Sequence, residues 1–115
     1  MELSSIINAL SLRVVSGKDN LSNAVTGGYV GDLLSDVMGN GKSGDLWITR
    51  QVHQNIVAVA SLKDLAGIVL VNNCEPAEDT IQKGVKEGIP IMISEMPGFD
   101  VAGKVYNLIK KDHHE

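Results

Sequence analysis

A single cysteine, Cys74, leaves no partner for an internal disulfide, so this chain must hold its fold by packing and hydrogen bonding alone. Aromatic residues are almost as scarce, at 3% of 115 residues. Trp47, Phe99, Tyr29 and Tyr106 are too few and too dispersed to make a stacking platform for single-stranded nucleic acid. Basic clusters are missing too: Lys and Arg total 10 against 14 Asp and Glu, giving a net charge of −4, and only Lys110-Lys111 are adjacent. A nucleic-acid partner, which requires a basic face, is excluded on that ground. The longest apolar run, Ala66 to Val71 counting Gly67, is far short of the ~20 residues that a membrane-spanning helix needs. The opening Met1-Glu2-Leu3-Ser4-Ser5 has neither the basic region nor the apolar stretch of a secretion signal, and a cytoplasmic location is the expectation.

What is present is an aliphatic composition with a regular cadence. Hydrophobic residues make up 43% of the chain, enough for one core in a single domain spanning 1–115. Leu46-Trp47-Ile48-Thr49, Ile68-Val69-Leu70-Val71 and Pro90-Ile91-Met92-Ile93 are short, nearly continuous apolar runs starting at 46, 68 and 90, so 22 residues apart each time. Continuous rather than alternating apolar character predicts strands covered on both faces, as in a parallel sheet. Between the runs lie segments of helical period. One starts at Pro76, with Glu78 and Asp79 at its positive end, Lys83 and Lys86 at the other, and Gly88 and Pro90 as stop signals. Another begins near Asp100 and places Val101, Val105, Leu108 and Ile109 on one face. Val52, Ile56, Val59 and Ala60 make a third stripe. Val30, Leu33, Leu34, Val37 and Met38 predict a fourth helix directly after Gly27-Gly28. Upstream, Glu2 to Leu10 reads as a short helix and Leu12 to Val15 as a strand, while Asn40 to Gly44 reads as a turn. The expected fold is α/β: a mostly parallel sheet with helices on both faces, a three-layer sandwich.

In such a sheet, ligands gather beyond the carboxyl ends of the strands. Thr49, Arg50, His53, Asn73 and Ser94 fall there, and Thr26, Gly27 and Gly28, read as preceding a helix, are expected to join the same edge. Several helix N-termini and one arginine make that edge suited to a phosphate or carboxylate; Thr, Asn and Ser at such positions equally serve as helix caps. His53 and Cys74 lie on loops that could be neighbours, which opens a nucleophile–base reading, but no nucleophile elbow or third orienting group accompanies them. Gly41-Lys42-Ser43 is not a phosphate-binding P-loop. The glycine required five positions earlier is Asp36, and the order is helix then strand. The adjacent His113-His114-Glu115 is a solvated tail rather than a metal site, and neither metal nor cofactor is expected.

Taken together, Val25-Thr26-Gly27-Gly28-Tyr29-Val30-Gly31-Asp32-Leu33-Leu34, the stretch Leu46 to Ala60, Gly67 to Val71 and Gly88-Ile89-Pro90-Ile91 resemble a DRTGG domain, from about Leu12 to Leu108. Where that family carries an Asp-Arg pair after a strand, this chain reads Thr49-Arg50-Gln51; where the family reads Thr-Gly-Gly, it has Asn72-Asn73-Cys74. The resemblance implies an accessory α/β module, as found beside CBS domains in some pyrophosphatases, inside phosphotransacetylases, and in the N-terminal domain of HPr kinase/phosphorylase. It implies a non-catalytic regulatory domain, a homodimer, that senses a small anionic metabolite or docks on a partner enzyme. The alternatives are a pure protein–protein adaptor without a small-molecule site, linked to hydrogenase or sensor-kinase complexes, and an enzyme using Cys74 and His53. Arg50 is the candidate for anion pairing and His53 for hydrogen bonding.

Overall fold

The structure, a computed structural model, describes residues 1–113. In chain order its elements are α1 (Leu3–Leu10), β1 (Arg13–Ser16), a 3-10 turn (Lys18–Asn20), β2 (Gly27–Val30), α2 (Leu34–Asn40), β3 (Asp45–Thr49), α3 (Asn55–Lys63), β4 (Gly67–Leu70), α4 (Glu78–Glu87), β5 (Ile91–Ile93) and α5 (Gly98–His113). The three evenly spaced apolar runs are β3, β4 and β5, and every residue of these strands is buried. They pair in parallel, β2 joins β3 in parallel, and β1 closes the other side antiparallel to β5, giving the order β1-β5-β4-β3-β2.

The alternation of side chains along a strand splits the core in two. Leu46, Ile48, Val69 and Met92 face α1 and α5, meeting Leu3, Ile6, Val101 and Val105. Trp47, Ile68, Leu70 and Ile91 face the opposite layer, meeting Val37 of α2 and Ile56, Val57 and Ala60 of α3. The three layers expected from the sequence are therefore formed. The α4 helix lies beside β1 at unusually close range, because a Cβ on Gly84 would stand 2.5 Å from the Ser16 hydroxyl and 2.9 Å from Ile91. Gly88 ends that helix in the left-handed region, φ +69°, as its sequence position suggests.

Several boundaries differ from expectation, and one element differs in kind. The α4 helix starts at Glu78; Pro76 is buried in the connection before it, and Ala77, at φ −59° and ψ 152°, lies outside the helical region. The last helix begins at Gly98, ahead of Asp100. Val52 precedes α3, and its carbonyl accepts the Thr80 hydroxyl at 2.7 Å. The larger correction concerns 27–38. Gly27 to Val30 is a strand, not the lead-in to a helix over 30–38, because these residues pair with Asp45 to Ile48. Only Leu34 to Asn40 is helical, and of the expected stripe Val30, Leu33 and Met38 are exposed. The side chains of the His113-His114-Glu115 tail lie outside what the structure describes. No helix among the described residues is long and apolar enough to cross a membrane.

Two helical glycines give opposite expectations. Alanine is favoured over glycine in a helix by about 1 kcal/mol. Gly103 of α5 has nothing within 4 Å of an added Cβ, so Gly103→Ala should raise stability by about that amount. Gly84→Ala should instead lower it by about 1–3 kcal/mol, since the methyl must displace Ser16 and Ile91. Urea unfolding of both variants checks the contrast.

Candidate strand-end site

The parallel strands β2 to β5 all end at one edge, and the chain leaves each end through a loop that starts a helix. At β2 the ladder runs one residue further, with the Gly31 amide donating to the Ile48 carbonyl at 3.1 Å. The Gly31 carbonyl accepts the indole N–H of fully buried Trp47 at 2.8 Å. This fixes Asp32 beside the end of β3. Its Oδ1 accepts both the Thr49 hydroxyl and the Arg50 backbone N–H, each at 2.8 Å, and its carbonyl accepts the Gln51 side-chain amide at 2.7 Å. The Thr49 hydroxyl in turn accepts the Gln51 N–H at 3.2 Å. Asp32 thus ties down the loop that carries Arg50.

On the neighbouring strands, consecutive left-handed residues Asn72 (φ +56°) and Asn73 (φ +55°) turn the chain sharply, a conformation asparagine tolerates better than most residues. Their amides donate to the Met96 and Ser94 carbonyls at 2.9 and 2.8 Å, tying the β4 loop to the β5 loop. Cys74 follows, half-buried, and lines a shallow cleft of about 280 Å³ with Asp32, Arg50 and Gln51.

The expected site residues divide into four groups. Arg50 and His53 are exposed at this edge, just before α3, and Arg50 takes part in neither described ion pair, which are Met1 N-terminus with Asp112 and Arg13 with Glu75. Thr49 and Ser94 reach the same edge but are buried, their hydroxyls engaged with Asp32 and with the Met96 N–H, so they shape loops. Asn73 is exposed there through its left-handed turn. Thr26, Gly27 and Gly28 are not at this edge. Gly27 pairs with Asp45 at the start of β3, which puts them at the opposite end of the strands, in an apolar groove beside α5. No hydrogen bond joins Cys74 to His53, and His53 does not line the cleft that Cys74 lines. Asp32 and Gln51 are the contributors that sequence reasoning passes over; for Asp32 the reason is that a helical reading of 30–38 hides the strand whose end it marks.

Of the four helices that start at this edge, α2, α4 and α5 carry Asp36, Glu78 with Asp79, and Asp100 in their first turns, whereas α3 has no acid there. The positive end of α3 is therefore left uncompensated by its own sequence, next to Arg50 and His53. Among the described residues, no three His, Cys, Asp or Glu side chains gather as a metal site.

No protein-family model matches the chain, and no curated protein sequence matches it. Among solved structures it is similar to the CBS and DRTGG domains of the regulatory region of Clostridium perfringens pyrophosphatase, complexed with its activator diadenosine tetraphosphate. The two share a fold. The TM-score is 0.71 at 14% identity, over 88% of this chain and 44% of that one.

Asp32→Ala removes the acceptor of two hydrogen bonds and should cost about 1–2 kcal/mol. Hydrogen exchange at the Arg50 amide should accelerate more than at the central amides of β4.

Proposed function

We propose that this chain is a non-catalytic regulatory domain of the DRTGG kind, working as a homodimer, that senses a small anionic metabolite at the carboxyl edge of its parallel strands. The observation that carries this reading is the Asp32-braced loop, which presents an unpaired Arg50 beside the acid-free N-terminus of α3. The neighbouring fold belongs to the regulatory region of another protein and is seen there with a nucleotide activator, which supports the reading.

The chemistry of the cleft narrows the ligand class. Arg50 pairs with phosphate or carboxylate oxygens, often through two parallel hydrogen bonds. Asp32 beside it repels a bare anion yet accepts hydrogen bonds from hydroxyl groups, as the acid of a dinucleotide fold does from a ribose. One cation and one carboxylate side by side favour a phosphorylated ligand that also carries hydroxyls, such as a nucleotide, over inorganic phosphate. The hydroxyls of Thr49 and Ser94 hold loops instead of acting as nucleophiles, and Cys74 has no base bonded to it.

Isothermal titration of the chain with diadenosine tetraphosphate, ATP, AMP and inorganic phosphate tests this. Saturable binding of at least one nucleotide, tighter than phosphate, is expected. Arg50→Ala should weaken it about tenfold or more without changing the unfolding midpoint. Absence of binding across the series, or unchanged affinity in Arg50→Ala, rejects the assignment.

A further inference from the structure

The strand-end cleft keeps two acceptors free. In the Asp32 carboxylate, Oδ1 does all the bracing, taking the Thr49 hydroxyl and the Arg50 N–H. No hydrogen bond or ion pair among the described residues engages Oδ2. Gln51 donates its side-chain N–H to the Asp32 carbonyl at 2.7 Å, and its side-chain oxygen accepts no hydrogen bond among the described residues. Asp32, Gln51 and Arg50 line the same cleft of about 280 Å³. One cation therefore stands beside two free acceptors. An ionised carboxylate only accepts, so its partner must be a donor such as a hydroxyl, which a fully ionised phosphate is not.

Position in the sheet gives each group a separate part of a ligand. The strands β2 and β3 are parallel neighbours, so Asp32, past the end of β2, stands beside the loop that runs from β3 into α3. Dinucleotide-binding folds hold phosphate and ribose together by the same juxtaposition, a helix N-terminus after one parallel strand and an acid ending the strand alongside. There the acid's strand follows the helix in the chain; here it precedes the helix. The cleft is also small. Pockets that enclose a whole ligand measure about 300–1,000 Å³, so this one takes a phosphorylated sugar and leaves a base outside. No aromatic side chain lines it.

We propose that the cleft selects the sugar of a ribonucleotide: Arg50 takes the phosphate, Asp32 Oδ2 accepts a ribose hydroxyl, and the base is not read. The inference rests on the anion site of the preceding subsection and deepens it, from hydroxylated phosphates in general to the ribose itself. Because two donors hold Oδ1, Oδ2 is fixed in place before a ligand arrives, and little ordering is left to oppose binding. The Gln51 side-chain oxygen supplies a second acceptor in the same cleft for the neighbouring hydroxyl.

Isothermal titration of the full chain with ATP, 2′,3′-dideoxyATP and GTP tests this. The dideoxy analogue should bind about tenfold more weakly than ATP, since a hydroxyl on a carboxylate is among the stronger hydrogen bonds. Exchanging adenine for guanine should change affinity less than removing the hydroxyls does. Asp32→Asn keeps an oxygen for Thr49 and Arg50 but loses the charge, so its preference for ATP over the dideoxy analogue should shrink. Equal affinity for the two in the wild type overturns the inference and leaves the Arg50 site standing; this comparison needs no variant to fold. A larger effect of the base than of the hydroxyls overturns it as well. So does a preference undiminished in Asp32→Asn, once circular dichroism shows that variant folded. ATP that does not bind at all also overturns it, and if AMP and diadenosine tetraphosphate fail too, the anion site falls with it.

Discussion

Parallel pairing of β3, β4 and β5, buried on both faces, is the constraint from which the remaining architecture follows. A parallel strand cannot return through a tight turn. Each must hand the chain to a crossover, here α3 and α4, that carries it back to the starting edge. The crossovers bring helix N-termini to the carboxyl edge, together with the polar loops that start them. The same burial demands apolar residues on both sides of every strand, and the core supplies them from two clusters, one around Val101 and Val105 and one around Trp47 and Ile56. Full burial of such side chains stabilises by about 1.5–3 kcal/mol each. The fold therefore tolerates polar, weakly packed loops at its strand ends.

Within those loops the polar groups have separate duties. Backbone amides at the edge find acceptors inside the protein: Arg50 on Asp32, Asn73 on Ser94, Met96 on the Ser94 hydroxyl. Leaving them unpaired would cost about 1–3 kcal/mol apiece once desolvated. Thr49 and Ser94 are thereby committed to structure. The Arg50 guanidinium and the His53 ring are not. What distinguishes a binding residue from a capping residue here is whether its hydrogen-bonding capacity is already spent.

That distinction limits what the sequence could reveal. The strands β3 to β5 were legible because continuous runs of Leu, Ile and Val bounded by Gly88, Pro90 and polar loops have few other uses, and α4 was legible from its charges and its glycine stop. The edge strand β2 was not. Gly27-Gly28-Tyr29-Val30 has two poor strand formers, and the apolar residues from Val30 to Met38 happen to repeat at helical spacing. Pairing with β3 overrides that local pattern, and no residue in the segment announces it. Missing β2 also displaced Thr26 to the wrong end of the sheet and hid Asp32. Arg50 and His53 lie at the carboxyl edge as expected because their place depends only on β3. The role of Thr49 turns on a hydrogen-bond partner far along the chain, Asp32, 17 residues away, which spacing alone does not disclose.

Asp32 is where the core reaches the exposed strand ends. One oxygen of its carboxylate takes both the Thr49 hydroxyl and the Arg50 amide, and its own position is set by Gly31, whose carbonyl takes the indole N–H of Trp47. A rigid, fully buried side chain therefore fixes, through two hydrogen-bonded steps, the loop that carries the exposed Arg50. A loop ordered in advance in this way does not have to be ordered at the moment something binds to it, and that saving in conformational entropy is what preorganisation contributes to affinity.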